Sequence, residues 1–287
     1  MRRSRPLLNL LSPPSVGLLG APLNKGQPHL GVEQGPSLIR GVGIVEQLQR
    51  RGCQVQDFGD LEFESFPDDI TEGGAKNPRS VGSATLRLSQ EVQRIKRAGL
   101  MALVLGGDHS LSLGSVHGHS AVMGDLSVVW VDAHADINTP LSSGTGNMHG
   151  QPVGLLLREL QDKVPPLPGL SWLTPCLWAK NLLYIGLRDV DPGEHFILKN
   201  LGVKFFSMSD VDRMGINRVL EETCDHLLRS QKPLHLSFDV DALDPSETPA
   251  TGTPVRGGLS LREGLTITEA LHETGETRTR TRRDHLC

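Results

Sequence analysis

The chain has 287 residues and a formal net charge of −4, with 29 basic residues against 33 acidic ones. That length suits one large α/β domain, and the interspersed charges exclude a basic nucleic-acid surface and an acidic solvating tail, so a small molecule is the expected partner. Cys53, Cys176, Cys224 and Cys287 lie far apart without a C-x-x-C pair, which argues against a disulfide framework or a structural zinc site.

Residues 1–14 form a basic segment, with Arg2, Arg3 and Arg5 and no acidic residue before Glu33. That composition suits a mitochondrial presequence; an ordinary basic tail on a cytoplasmic protein is the alternative. From 15 to 275 short aliphatic runs alternate with helix-period segments, the pattern of a parallel sheet covered by helices. Strands are predicted at 15–22, 54–60, 100–107, 126–133, 181–187, 203–208 and 234–242, and helices near 36–51, 79–98, 110–121, 151–161, 209–230 and 260–274. No apolar run approaches the roughly 20 residues a membrane span needs, so no membrane partner is expected.

Ligands of such sheets bind beyond the carboxyl ends of the strands, and three runs end there in metal-type ligands. GGDHS supplies Asp108 and His109, DAHADIN supplies Asp132, His134 and Asp136, and DVDALDP supplies Asp239, Asp241 and Asp244. With side chains alternating at period two, Asp132, His134 and Asp136 are expected on one side, as are Asp239 and Asp241. Carboxylates this close raise one another's pKa unless cations offset them, and two divalent ions supply that charge. Oxygen and imidazole donors without thiolate favour Mn²⁺ over Mg²⁺, Fe²⁺, Co²⁺ or Zn²⁺. Read singly, a D-x-H-x-D is strand-end capping and a D-x-D is an Asx-turn; together, each after an apolar run, they point to a metal pair. His117 and His119, two apart on a helix, are read as non-ligands. GTGNMHG puts His149 at the last glycine position of the dinucleotide fingerprint, so a nucleotide site is set aside.

GGDHS, DAHADIN, GNMHGQP, GLRDVDPGE and SFDVDALDP followed by PATGTP together resemble the ureohydrolase family over about residues 15–275. GVEQGP, NPRSVG and LRELQDKVPPLPG are more similar to vertebrate-type arginases than to agmatinases. The resemblance implies a three-layer α/β/α domain with a central parallel sheet, commonly a homotrimer. It also implies two Mn²⁺ per chain held by His109, Asp132, His134, Asp136, Asp239 and Asp241, and hydrolysis of L-arginine to L-ornithine and urea by a metal-bridging hydroxide. Asp136 would relay the hydroxide proton to the leaving amine, and His149, with an ordinary pKa near ~6.5, would shuttle protons. Asn138, Thr145 (where serine is usual) and Asn147 match positions that bind the substrate α-carboxylate. Asp191 and Glu194 match α-amino contacts, and Thr253 joins the substrate-binding set.

The resemblance stops after HETG, where the family continues with an apolar strand, an acidic residue in E-V-N-P and a further helix. Here 276–287 read ETRTRTRRDHLC, whose arginines do not suit a buried strand. The expectation is a disordered tail, a core lacking its last strand and helix, and no glutamate to orient the guanidinium, with activity reduced accordingly. The competing readings are an agmatinase or other guanidino hydrolase, and a catalytically impaired metal-binding variant that acts through subunit association.

Overall fold

The computed structural model describes residues 14–284, with side chains through Thr274. Seven strands are present, β1 (Ser15–Ala21), β2 (Gln54–Asp60), β3 (Met101–Gly106), β4 (Ser127–Val131), β5 (Leu182–Leu187), β6 (Lys204–Ser207) and β7 (Leu234–Phe238). Each falls within a predicted run. The helices are α1 (Gly35–Gly41), α2 (Ile44–Arg50), α3 (Pro78–Arg97), α4 (Ser112–Met123), α5 (Pro152–Leu156), α6 (Pro192–Leu201), α7 (Met208–Met214), α8 (Ile216–Ser230) and α9 (Leu261–Asp284). No described helix is long and apolar enough to cross a membrane.

The strands form because their side chains are covered on both faces. In β4, Val128 and Trp130 enter a cluster with Leu113, Val116 and Leu155, while Val129 and Val131 enter another with Val219, Leu227 and Ile267. Full burial of such side chains contributes about 1.5–3 kcal/mol each. On α3, Ala84, Leu88, Val92 and Ile95 recur at helical spacing and cover Leu19 and Ala21 of β1. The helix α4 lies close along α3 because Gly114 and Gly118 leave room; a Cβ at either would come within 2.5 Å of a carbonyl oxygen of α3. These contacts make the three layers, helices over sheet over helices.

The expected central sheet is parallel throughout but divided. One sheet has the order β2-β1-β3 and the other β6-β5-β4-β7. Side chains join them, His109 Nε2 to Ser237 Oγ at 2.8 Å and His119 Nδ1 to His235 Nδ1 at 3.2 Å.

Several helix boundaries differ from expectation. The 36–51 segment breaks at Gly43, which takes a left-handed φ of 81°, and the 209–230 segment breaks at Gly215 with φ 75°. A 3₁₀ turn, His109–Leu111, precedes α4, and another, Arg158–Lys163, takes the second half of the 151–161 segment. The helix α6 was not predicted. Residues 276–284, expected in a disordered tail, continue the backbone of α9. Most of the basic segment, 1–13, and the end of the tail, 285–287, lie outside the described residues.

Candidate metal centre

The carboxyl ends of β3, β4 and β7 deliver their following residues to one place. His109 opens the 3₁₀ turn after β3 and turns its Nδ1 to three carboxylate oxygens, Asp132 Oδ2 at 2.9 Å, Asp136 Oδ2 at 3.0 Å and Asp239 Oδ2 at 3.1 Å. His134 Nδ1 lies 3.4 Å from Asp132 Oδ1 and 3.3 Å from Asp241 Oδ2. Two donor groups result, His109, Asp132 and Asp239 in one and Asp132, His134 and Asp241 in the other. They share Asp132. Asp136 reaches His109 without joining either group.

The placement does not follow from strand alternation. Both β4 and β7 end before their ligands, at Val131 and Phe238. Asp136 has a left-handed backbone, φ 49°, a conformation rare for a non-glycine residue and concentrated at functional sites. Asx-type bonds aim the carboxylates instead. Asp132 Oδ1 accepts the His134 N–H at 2.8 Å, and Asp239 Oδ1 accepts the Asp241 N–H at 3.0 Å. The bonds that fix the turns therefore also set the carboxylates toward the centre, and Asp132 Oδ1 does both, accepting the His134 N–H and lying 3.4 Å from its Nδ1.

The donors fit divalent cations. His109 Nδ1 is buried and makes no directed hydrogen bond despite its three carboxylate neighbours, as expected of atoms that point at a common ion rather than at one another. Its Nε2 is engaged by Ser237 Oγ, which leaves Nδ1 as the atom that could hold an ion. Burial opposes charge on His134, but its hydrogen bonds to Asp132 and Asp241 outweigh that and lift the imidazole to about 11. Burial opposes charge on His109 too, but the three carboxylates close to its Nδ1, of Asp132, Asp136 and Asp239, outweigh that and raise it well above the usual imidazole range. Burial, with the charges of Asp132 and Asp239, lifts Asp241 to about 7, and burial beside Asp132 holds Asp136 well above the carboxylate range.

His149 hangs its N–H on Gly26 at 3.0 Å. Burial, then the positive His134, lowers its imidazole to about 4, so the ordinary value expected for it does not hold. Asp108 is buried but bonds Gly26 and Ser110 and caps the 3₁₀ turn. His117 bonds Ser89 and His119 bonds His235, both away from the cluster.

The substrate candidates fall into three places. Asn138 Nδ2 donates to Asp191 Oδ2 at 3.0 Å, and the buried Glu194 accepts the N–H groups of Ile137 and Asp191, so these three are joined. Thr145 Oγ1 accepts the Asn147 N–H, and Asn147 Oδ1 accepts Lys76 Nζ at 3.2 Å. Thr253 Oγ1 instead donates to Asp241 Oδ2 at 3.0 Å, which attaches it to the metal cluster.

Sequence reasoning missed the supporting residues. The Trp130 indole donates to Asp132 Oδ2 at 2.9 Å and stacks on His109, ring centroids 4.3 Å apart. Trp130 lies inside the apolar run at 126–133, where an indole N–H needs an acceptor and Asp132 stands two residues on. Ser237 and Arg188 gave no comparable signal.

A family model described as the arginase family matches residues 14–279. Arginase-1 of Homo sapiens is 58% identical over 262 residues, covering 91% of this chain and 81% of that protein. The mitochondrial arginase-2 of Bos taurus is 55% identical over 263 residues, covering 91% of this chain and 74% of its own. Among solved structures, the arginase of Bacillus caldovelox superposes with a TM-score of 0.83 at 35% identity, covering 92% of this chain and 87% of that one.

Proposed function

From the premise that the chain belongs to the arginase family, we propose that it hydrolyses L-arginine to L-ornithine and urea with two Mn²⁺ per chain. The observation that carries the reading is the pair of donor groups sharing Asp132. His109, Asp132, His134, Asp136, Asp239 and Asp241 hold the ions in this proposal. When bound, a pair of divalent cations neutralises the carboxylates and makes hydroxide available at neutral pH, the nucleophile that a resonance-stabilised guanidinium requires.

The chain's residues do the rest. Asp136, whose Oδ2 lies 3.0 Å from His109 Nδ1, takes the hydroxide proton and returns it to the departing ornithine amine. The bond broken is that between the guanidinium carbon and the side-chain nitrogen. His149, whose main-chain N–H is held by the Gly26 carbonyl, passes protons between the site and solvent. Asn138, Thr145 and Asn147 bind the α-carboxylate, and Asp191 with Glu194 the α-ammonium. The hydroxyl of Thr253 keeps Asp241 in its ligand orientation, and through it Thr253 affects substrate turnover. The homotrimer and a mitochondrial location, with the cytoplasm as alternative, belong to the same proposal; sedimentation and imaging of a C-terminally tagged chain test them.

Urea release from L-arginine and agmatine is measured side by side, with and without added Mn²⁺, together with the metal-to-protein ratio. The expected result is Mn²⁺-dependent urea from arginine alone at two ions per chain. Preferential release from agmatine makes the protein an agmatinase, and two bound ions without urea make it a metal-binding protein only.

A further inference from the structure

We infer that Arg188 is a positioning residue that ties together the two ligand-bearing loops of the metal centre and sets the position formed by Asp132, His134 and Asp241; the inference rests on the metal-dependent reading above. Its main-chain N–H and that of Asp189 both donate to the carbonyl of Ala133, at 2.9 and 3.0 Å. Ala133 lies between the ligands Asp132 and His134. The guanidinium reaches the other loop. It donates to the carbonyl oxygens of Asp241, of Ala242 at 3.0 Å and of Leu243 at 3.3 Å. It also donates to Val255 from Nη2 at 2.8 Å and from Nε at 3.2 Å, and to Gly186 at 3.4 Å.

All the acceptors of its hydrogen bonds are main-chain oxygens, so the fork follows the path of the backbone, while the nearby carboxylates of Asp241 and Asp132 favour its charge without bonding it. A planar guanidinium offers five N–H donors spread over three nitrogens, whereas a lysine offers three on one atom. Only the former spans the Asp241–Leu243 turn and Val255 at once. Gly258 keeps the space clear, because a Cβ there would sit 2.7 Å from Nη2. The loop that Arg188 holds at Val255 also carries Thr253, whose hydroxyl fixes Asp241 Oδ2. Asp241 is thus held at its carbonyl by Arg188 and at its carboxylate by Thr253. No bond from Arg188 reaches His109 or Asp239 among the described residues, so its loss acts on one donor group first.

The test is Mn²⁺ titration of wild type, Arg188→Lys and Arg188→Met by calorimetry, with metal content measured after gel filtration and Mn–Mn coupling read by electron paramagnetic resonance. Wild type is expected to bind two coupled ions. Arg188→Met is expected to keep one ion and to hold the second about 10- to 100-fold more weakly, with the coupled signal lost and Arg188→Lys in between. If Arg188→Met does not fold, Arg188→Lys is judged by the same selective loss. Retention of both ions at wild-type affinity, or equal weakening of both, overturns the assignment. Failure of wild type to bind two ions overturns the metal-dependent reading instead.

Discussion

Both carboxylate oxygens of Asp132 accept hydrogen bonds from the protein, one from the His134 N–H and one from the Trp130 indole. The residue is 1% exposed, so water does not replace a lost donor. Trp130→Phe removes the indole N–H while keeping an aromatic ring over His109. It leaves a buried carboxylate oxygen short of a donor, at a cost of about 1–3 kcal/mol. Urea denaturation is expected to show that loss, and Mn²⁺ titration a weaker affinity; unchanged values in both would mean that the indole bond supports neither. At this scale the residues that come together were legible in the sequence because each group follows an apolar strand. The reason given for their convergence, strand alternation, was not the physical one. Asx bonds and a left-handed Asp136 aim them, and a sequence window shows neither. The partner of His109, Ser237, lies 128 positions away, so no local pattern announces it.

Strands were more legible than helices because burial on both faces writes itself as continuous apolar residues, as in Val128–Val131. The helix α6 escaped because Asp-Pro-Gly at its start reads as a turn and Phe196 is 71% exposed, which spoils the amphipathic period. Its start is fixed by Glu194, which accepts the N–H groups of Asp191, the residue that caps α6, and of Ile137 in the loop after β4. A carboxylate so deeply placed titrates late: burial lifts Glu194 from 4.5 to about 7, against the two backbone bonds that favour its charge. Its folded pKa thus lies above its unfolded one, so the native state binds more protons in between and its contribution to stability falls as pH rises from about 4.5 to about 7. Glu194→Gln carries no such titration. Chemical denaturation at pH 5, 6 and 7 is expected to show the variant gaining on wild type at each step. A difference independent of pH would mean that Glu194 is ionised throughout.

A core short of one strand was expected, but where the sheet divides was not legible in the sequence, because a strand run carries no record of which neighbour it pairs with. The order β2-β1-β3 and β6-β5-β4-β7 leaves the outer edges of β3 and β7 without a partner strand among the described residues. What joins the halves lies at the site itself, the His109–Ser237 bond and the helix α4, whose His119 meets His235 of β7. The candidate metal centre therefore sits across a seam, and in the proposed function ions held by residues of both halves would add ties where main-chain ladders are absent. Unpaired edges open more readily and are templates for association. Hydrogen exchange is expected to be faster in β3 than in β4, and Mn²⁺ to slow it in β3 more than in β4. Met101, 52% exposed on the β3 edge, is the place to blunt that edge. Met101→Lys is expected to change unfolding free energy by no more than about 0.5 kcal/mol while lowering concentration-dependent light scattering. Equal exchange in β3 and β4, with scattering unaffected by the lysine, would show that the seam is closed in solution.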